Sequence, residues 1–173
     1  MQEYLDIFDK NERYLGSLTR EDCHKPNVKF YHRVVWIWLI NNKKEILIQQ
    51  RAFSKKNRPG SWDEISVAGH VLKDENPEDA CSREIYEELG IHVKQLNFLK
   101  KWIHEEGREI AYFYSANIEK LVDQFTLQKE EVADARYVTF SEFKDMLNNN
   151  IFDNYPIEYK KLVIDTLSNI LSK

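Results

Sequence analysis

Glu84, Glu87 and Glu88 lie within one stretch of the chain, with Arg83 before them and Gly90 after. On a helix turning roughly 100° per residue they share an arc of about 100°. That arc adjoins the apolar stripe of Cys81, Ile85 and Leu89, so the carboxylates border a core instead of opposing it. Glu84 and Glu88 are like charges four residues apart, which costs about 0.2–0.5 kcal/mol. All three occupy the last turns, where the helix dipole favours cations, at a cost of about 0.3–1 kcal/mol each. A solvated acidic face would set such residues away from the stripe. Hard oxygen donors gathered at one spot are what Mg²⁺ or Mn²⁺ takes, and a divalent ion would turn the repulsion into coordination.

The neighbours extend the pattern. From Gly69 the chain runs five residues to Glu75, seven more to Arg83-Glu84-Ile85, one to Glu87-Glu88, and one to Gly90-Ile91. This is G-x5-E-x7-R-E-U-x-E-E-x-G-U, with U a bulky apolar residue, complete over residues 69–91. The chain thereby resembles the Nudix hydrolases. The resemblance implies that Glu84, Glu87, Glu88 and the Gly69 carbonyl hold Mg²⁺, with Mn²⁺ as a substitute. It implies that Glu75 and Arg83 tie the loop to the helix and so orient the carboxylates. The implied reaction is attack of water on a diphosphate linkage, with metal ions neutralising phosphate oxygens and acidifying the water.

A narrower resemblance covers roughly residues 3–150. The run Leu47-Ile48-Gln49-Gln50-Arg51-Ala52-Phe53-Ser54-Lys55-Lys56, then Pro59-Gly60-Ser61-Trp62 and Gly69-His70, is similar to type I isopentenyl diphosphate isomerase. His24, His32 and His70 match metal-binding histidines of that enzyme, and Glu109 matches one of its metal-site glutamates. Arg51 and Lys55 match basic residues that hold the substrate diphosphate. Two departures separate the chain from the isomerase: Ala68 stands where it has a catalytic cysteine, and Gly107 falls at or near its second metal-site glutamate. The reading is therefore an isomerase-like Nudix hydrolase that lacks isomerase chemistry. An isomerase and a non-catalytic diphosphate sensor are the alternatives.

Beside these readings, His32 is expected as a hydrogen-bonded core histidine and His24 as a loop residue without a metal role. His70 is assigned to substrate binding from its place beside Gly69. The basic loop of Arg51, Lys55, Lys56 and Arg58 is expected to meet phosphates. Glu131 is the candidate general base, with Glu109 as its competitor. Cys81 reads as a small buried hydrophobe, and Trp62 as a pocket wall.

These residues need elements to hold them. Asn76 caps and Pro77 opens a helix over residues 77–89, and Gly90 stops it. Strands are expected at 3–8, 14–18, 31–40, 45–50, 65–68, 96–102, 109–117 and 135–139, with 51–62 as a basic loop. Helices follow at 141–147 and 155–171. Strands in blocks with irregularly interposed helices imply an α+β chain: an α/β/α sandwich, the Nudix fold, with a mixed central sheet flanked by helices.

The 173 residues are 42% hydrophobic and 31% charged, which suits one domain over 1–173 and excludes a disordered chain. The net charge of −4 leaves no nucleic-acid footprint. No apolar run is long enough to span a bilayer, and no secretory leader is visible. Cys23 and Cys81 have no metal-ligand spacing, which points to a reducing, cytoplasmic setting. The expected partner is a small-molecule diphosphate, with a homodimer possible.

Overall fold

The computed structural model describes residues 2–172. Strands β1 (Tyr4–Phe8) and β2 (Tyr14–Thr19) form an antiparallel hairpin, followed by a single helical turn, α1 (Arg20–Cys23). The Thr19 hydroxyl accepts from the Asp22 N–H and so starts that turn. The long strand β3 (Tyr31–Asn41) is followed by β4 (Ile46–Arg51), β5 (Trp62–Asp63), β6 (Val67–His70) and helix α2 (Pro77–Leu89). Then come β7 (Asn97–His104), β8 (Glu109–Ile118), a 3₁₀ turn at Val122–Gln124, β9 (Val132–Val138), α3 (Phe140–Asn148) and α4 (Ile157–Leu171).

β3 organises the sheet. One of its edges runs parallel to β8 from His32 to Asn41. Its other edge is shared in succession by three antiparallel strands: β1 at Tyr31–His32, β6 at Val34–Ile37 and β4 at Ile40. β4 therefore diverges from β3 after one pair and carries β5 and β9 away with it. Ser66 spans the gap, its hydroxyl donating to the Leu47 carbonyl and accepting from the Leu39 N–H at 2.9 Å.

Alternation along β3 sorts the core into two layers. Val35, Ile37 and Leu39 pack with Cys81, Ile85 and Leu89 under α2. Val34 and Trp38 pack with Phe143, Leu147, Val163 and Leu167 under α3 and α4. Helices thus cover both faces of a mixed sheet, as expected, and among the described residues none is long and apolar enough to cross a membrane.

Several boundaries differ from the sequence expectation. The strand assigned to 65–68 lies at Val67–His70, because Ser66 spends its hydroxyl on bridging and breaks the ladder. The 51–62 loop ends in β5, whose two residues pair with Gln49 and Gln50. α4 starts after Pro156, because proline lacks an N–H and is tolerated at the helix start. β7 continues to His104, paired with Glu109.

Candidate active site

α2 is built as its sequence dictates. The Asn76 side chain accepts from the Asp79 N–H, Pro77 opens the helix, and Gly90 closes it in the left-handed region at φ 65°. Cys81, Ile85 and Leu89 are fully buried. Glu88 lies on the buried side with them, 9% exposed, accepting from Gln49 Nε2 at 3.1 Å. Burial, and then the charge of Glu84, pushes its carboxyl well above the usual carboxylate range. Burial also raises Glu84, against the pull of the Arg83 guanidinium. Glu87 is exposed.

Gly69 is a glycine because Glu84 occupies its side-chain space: a Cβ there would sit 2.0 Å from Glu84 Cδ. Arg83 is the local hub. It grips both oxygens of Glu75 at 2.9 Å, donates to the His70 carbonyl at 2.8 Å, and reaches Glu84 at 2.7 Å and Glu87 at 3.2 Å. Glu75 in turn accepts from the Leu72 N–H. Loop, strand and helix are thereby tied at one point. Carboxylates gathered on one helix face, Glu88 buried without a cationic partner, against a strand backbone, fit a divalent hard cation.

Glu131 reaches the same place from the far side of the sheet gap. Its loop is stitched to α2 by the Gln128 N–H on the Glu88 carbonyl (3.0 Å), and to the end of β4 by the Ala52 N–H on the Glu131 carbonyl (2.8 Å). The Lys55 ammonium sits on the Glu131 carboxylate. Arg51 donates to Asp63 at 3.0 Å and to the Asn57 carbonyl at 3.2 Å, leaving Nη2 unengaged among the described residues. Arg58 departs from the expected phosphate loop. It binds Asp63, the Phe152 carbonyl and the Tyr155 hydroxyl, so it anchors the loop to the segment before α4.

Two predicted residues lie elsewhere. His70 follows Gly69 on β6, so its ring faces the opposite side, the side of Val34. Glu109 pairs in register with His32, on that same side. There His24, His32 and His70 bring one ligand nitrogen each to within 4.8 Å of one another. The expected hydrogen-bonded core histidine at 32 is not found: His32 is 1% exposed and neither ring nitrogen has a partner. Burial pushes its pKa down to about 4 and that of His70 well below the usual imidazole range, so both keep free lone pairs at neutral pH. His24 donates from Nδ1 to the Arg20 carbonyl (2.8 Å), which leaves Nε2 as the lone-pair nitrogen facing His70 Nε2 at 3.2 Å. Three converging imidazoles, His32 among them with neither ring nitrogen partnered, fit a cation of the Zn²⁺ class such as the isomerase resemblance implies. Ala68, on this face, is exposed.

Sequence reasoning missed Gln49, Asp63 and His104. Gln49 had a signal, a polar residue at an inward position on the same strand face as Leu47. The other two are placed by pairing that the sequence does not declare.

Comparison with known proteins places the chain in a family. The NUDIX domain family model matches residues 30–158. An uncharacterized Nudix hydrolase of Listeria monocytogenes is 37% identical over 157 residues, covering 90% of each chain. An isopentenyl-diphosphate Delta-isomerase of Photorhabdus laumondii is 30% identical over 176 residues, covering 99% of this chain and 98% of the relative. The fold is similar to that of DR0079 from Deinococcus radiodurans (TM-score 0.77, 20% identity, 95% of this chain and 99% of that one). It is also similar to the NUDIX domain of Shewanella oneidensis NrtR, solved with ADP ribose (TM-score 0.60, 17% identity, 89% and 99%). The chain belongs to the Nudix hydrolase family.

Proposed function

We propose that the protein is a Mg²⁺-dependent hydrolase of a small organic diphosphate, of the nucleoside-diphosphate type or a close relative. The observation that carries this reading is the Glu84–Glu88 pair against Gly69, both carboxyls pushed up by burial, and Glu88 further by the neighbouring charge of Glu84. Mg²⁺, or Mn²⁺ in its place, would supply neutralisation of phosphate oxygens and acidification of water. Glu84, Glu87, Glu88 and the Gly69 carbonyl hold it, and Arg83 and Glu75 keep those ligands in place. Arg51 and Lys55 take the outer phosphate oxygens, and Glu131 accepts the proton of the attacking water. The protein acts in the cytoplasm on a small molecule, as one Nudix domain over 1–173.

The isomerase reading is disfavoured because Ala68 offers no ionisable group where a thiol would exchange protons. A sensor would not need three carboxylates set against a repulsive gradient. The test is a panel of nucleoside diphosphates, nucleotide sugars and prenyl diphosphates incubated with the protein and Mg²⁺ in ¹⁸O-labelled water. The label should enter a product phosphate of at least one substrate class. Ligand binding without label entry for any class would overturn the reading in favour of a sensor.

A further inference from the structure

We propose that His104 is a positioning residue that holds Glu109 as the fourth ligand of a transition-metal site formed with His24, His32 and His70. This rests on the fit of those three imidazoles to a cation and is independent of the glutamates on α2, which lie across the sheet.

The three imidazoles come from three elements that converge at the start of β3. His24 caps the C-terminus of α1, His32 opens β3, and His70 ends β6. Their ring centroids are 5.0, 5.0 and 5.2 Å apart. Three neutral nitrogens supply no charge, and a four-coordinate ion of the Zn²⁺ class needs one more donor. Glu109 is the carboxylate at hand. It stands beside His32 in the parallel β3–β8 register, and its Oε1 lies 4.0 Å from His32 Nε2. A tetrahedral ion with ligands at about 2.0–2.2 Å sets two donors about 3.3–3.6 Å apart, so Glu109 closes on His32 by about half an ångström to share one cation with it.

Its other oxygen, Oε2, is 3.0 Å from His104 Nδ1, which donates to it across the β7–β8 pair. The His104 ring is fixed in turn by stacking on Trp102, with centroids 5.3 Å apart and planes at 15°. Gly107 makes room for this arrangement. A Cβ there would sit 2.7 Å from His104 Nδ1 and 3.0 Å from the Glu109 carboxylate. A side chain at 107 would therefore displace the His104–Glu109 pair from its present position. The chain has given up a possible donor at 107 and uses the space to orient the carboxylate it keeps. A histidine N–H on the outer oxygen of a ligating carboxylate fixes its rotamer and leaves the inner oxygen for the ion.

The probe is Co²⁺, titrated into the full chain after chelator treatment, with excess Mg²⁺ present to occupy the oxygen ligands on α2. Wild type should give the intense visible band of a four-coordinate, nitrogen-rich site, and His32→Ala should lose it. His104→Ala should keep the band but weaken Co²⁺ binding about 10–100-fold, with the Tm of the metal-free protein unchanged. His104→Gln can still donate an N–H to Glu109 and should recover most of the affinity; it also answers the question alone if His104→Ala does not fold. A missing band in wild type, or a band that survives His32→Ala, would overturn the three-histidine site itself. A normal band with unchanged affinity in His104→Ala, or no recovery in His104→Gln, would overturn the role of His104 alone.

Discussion

Glu88→Gln should make the metal-free protein more stable and the Mg²⁺-loaded protein less stable than wild type. Glu88 is almost wholly buried, and one amide donor, Gln49 Nε2, compensates its charge. Its folded-state pKa lies well above that of an exposed glutamate, so ionisation works against the folded state. Below the unfolded pKa of about 4.3 both states are protonated and nothing is lost. As pH rises through that value the penalty grows, by about 1.4 kcal/mol for each unit of upward shift, and levels off above the folded pKa. A glutamine keeps the shape and the bond from Gln49 but has no charge. At pH 7.5 with EDTA the variant should therefore gain about 1 kcal/mol or more, a rise in Tm of about 2–4 °C for a chain of this size. The gain should vanish below about pH 4. Mg²⁺ at a hundred times its dissociation constant stabilises wild type by about 2.7 kcal/mol, whereas the variant has lost a ligand and should respond far less. Thermal unfolding followed by circular dichroism, with EDTA and with Mg²⁺, reads both effects. A variant less stable than wild type in EDTA, or equal Mg²⁺ shifts in the two proteins, would refute the reasoning.

Glu87→Gln alters an exposed carboxylate and should change stability by less than about 0.5 kcal/mol, while most Mg²⁺-dependent turnover is lost; unchanged turnover at saturating Mg²⁺ would remove Glu87 from the metal site. Gly69→Ala should displace Glu84, since the new methyl falls on its carboxyl carbon. It should cost about 1–3 kcal/mol in a denaturant melt and weaken Mn²⁺ binding measured by electron paramagnetic resonance. Arg51→Ala or Lys55→Ala should raise KM more than either lowers kcat, because uniform phosphate binding is lost and the metal chemistry is spared; unchanged KM in both would return the loop to a solvated surface. In deuterated water the wild type should put no deuterium into dimethylallyl diphosphate from isopentenyl diphosphate, by mass spectrometry, since Ala68 has no proton to exchange.

The parts of this molecule that follow from local rules were legible. α2 matches its expected bounds, because Asn76, Pro77 and Gly90 act on the backbone beside them. The glutamate cluster was legible too, since helical periodicity alone places its members together. What escaped was set by long-range pairing. β5 exists only because Trp62 and Asp63 meet β4. β7 reaches His104 only because Glu109 lies opposite. His70 was assigned to the glutamate site because it adjoins Gly69, yet the two-residue period of a strand sends neighbouring side chains to opposite faces. His32 was expected to find a partner, and the side chains that surround it leave both ring nitrogens unpaired.

The most direct test of the central claim is the initial rate of diphosphate cleavage as a function of Mg²⁺, in wild type and in Glu84→Gln. The substrate is whichever diphosphate the labelled-water panel shows to be turned over. Wild type should show saturable dependence on Mg²⁺ and no turnover in EDTA. Glu84→Gln should lose at least about a hundredfold in rate at every Mg²⁺ concentration. Hydrolysis that persists in EDTA, or a variant that tracks wild type across the titration, would contradict the assignment of the α2 carboxylates as the catalytic metal site.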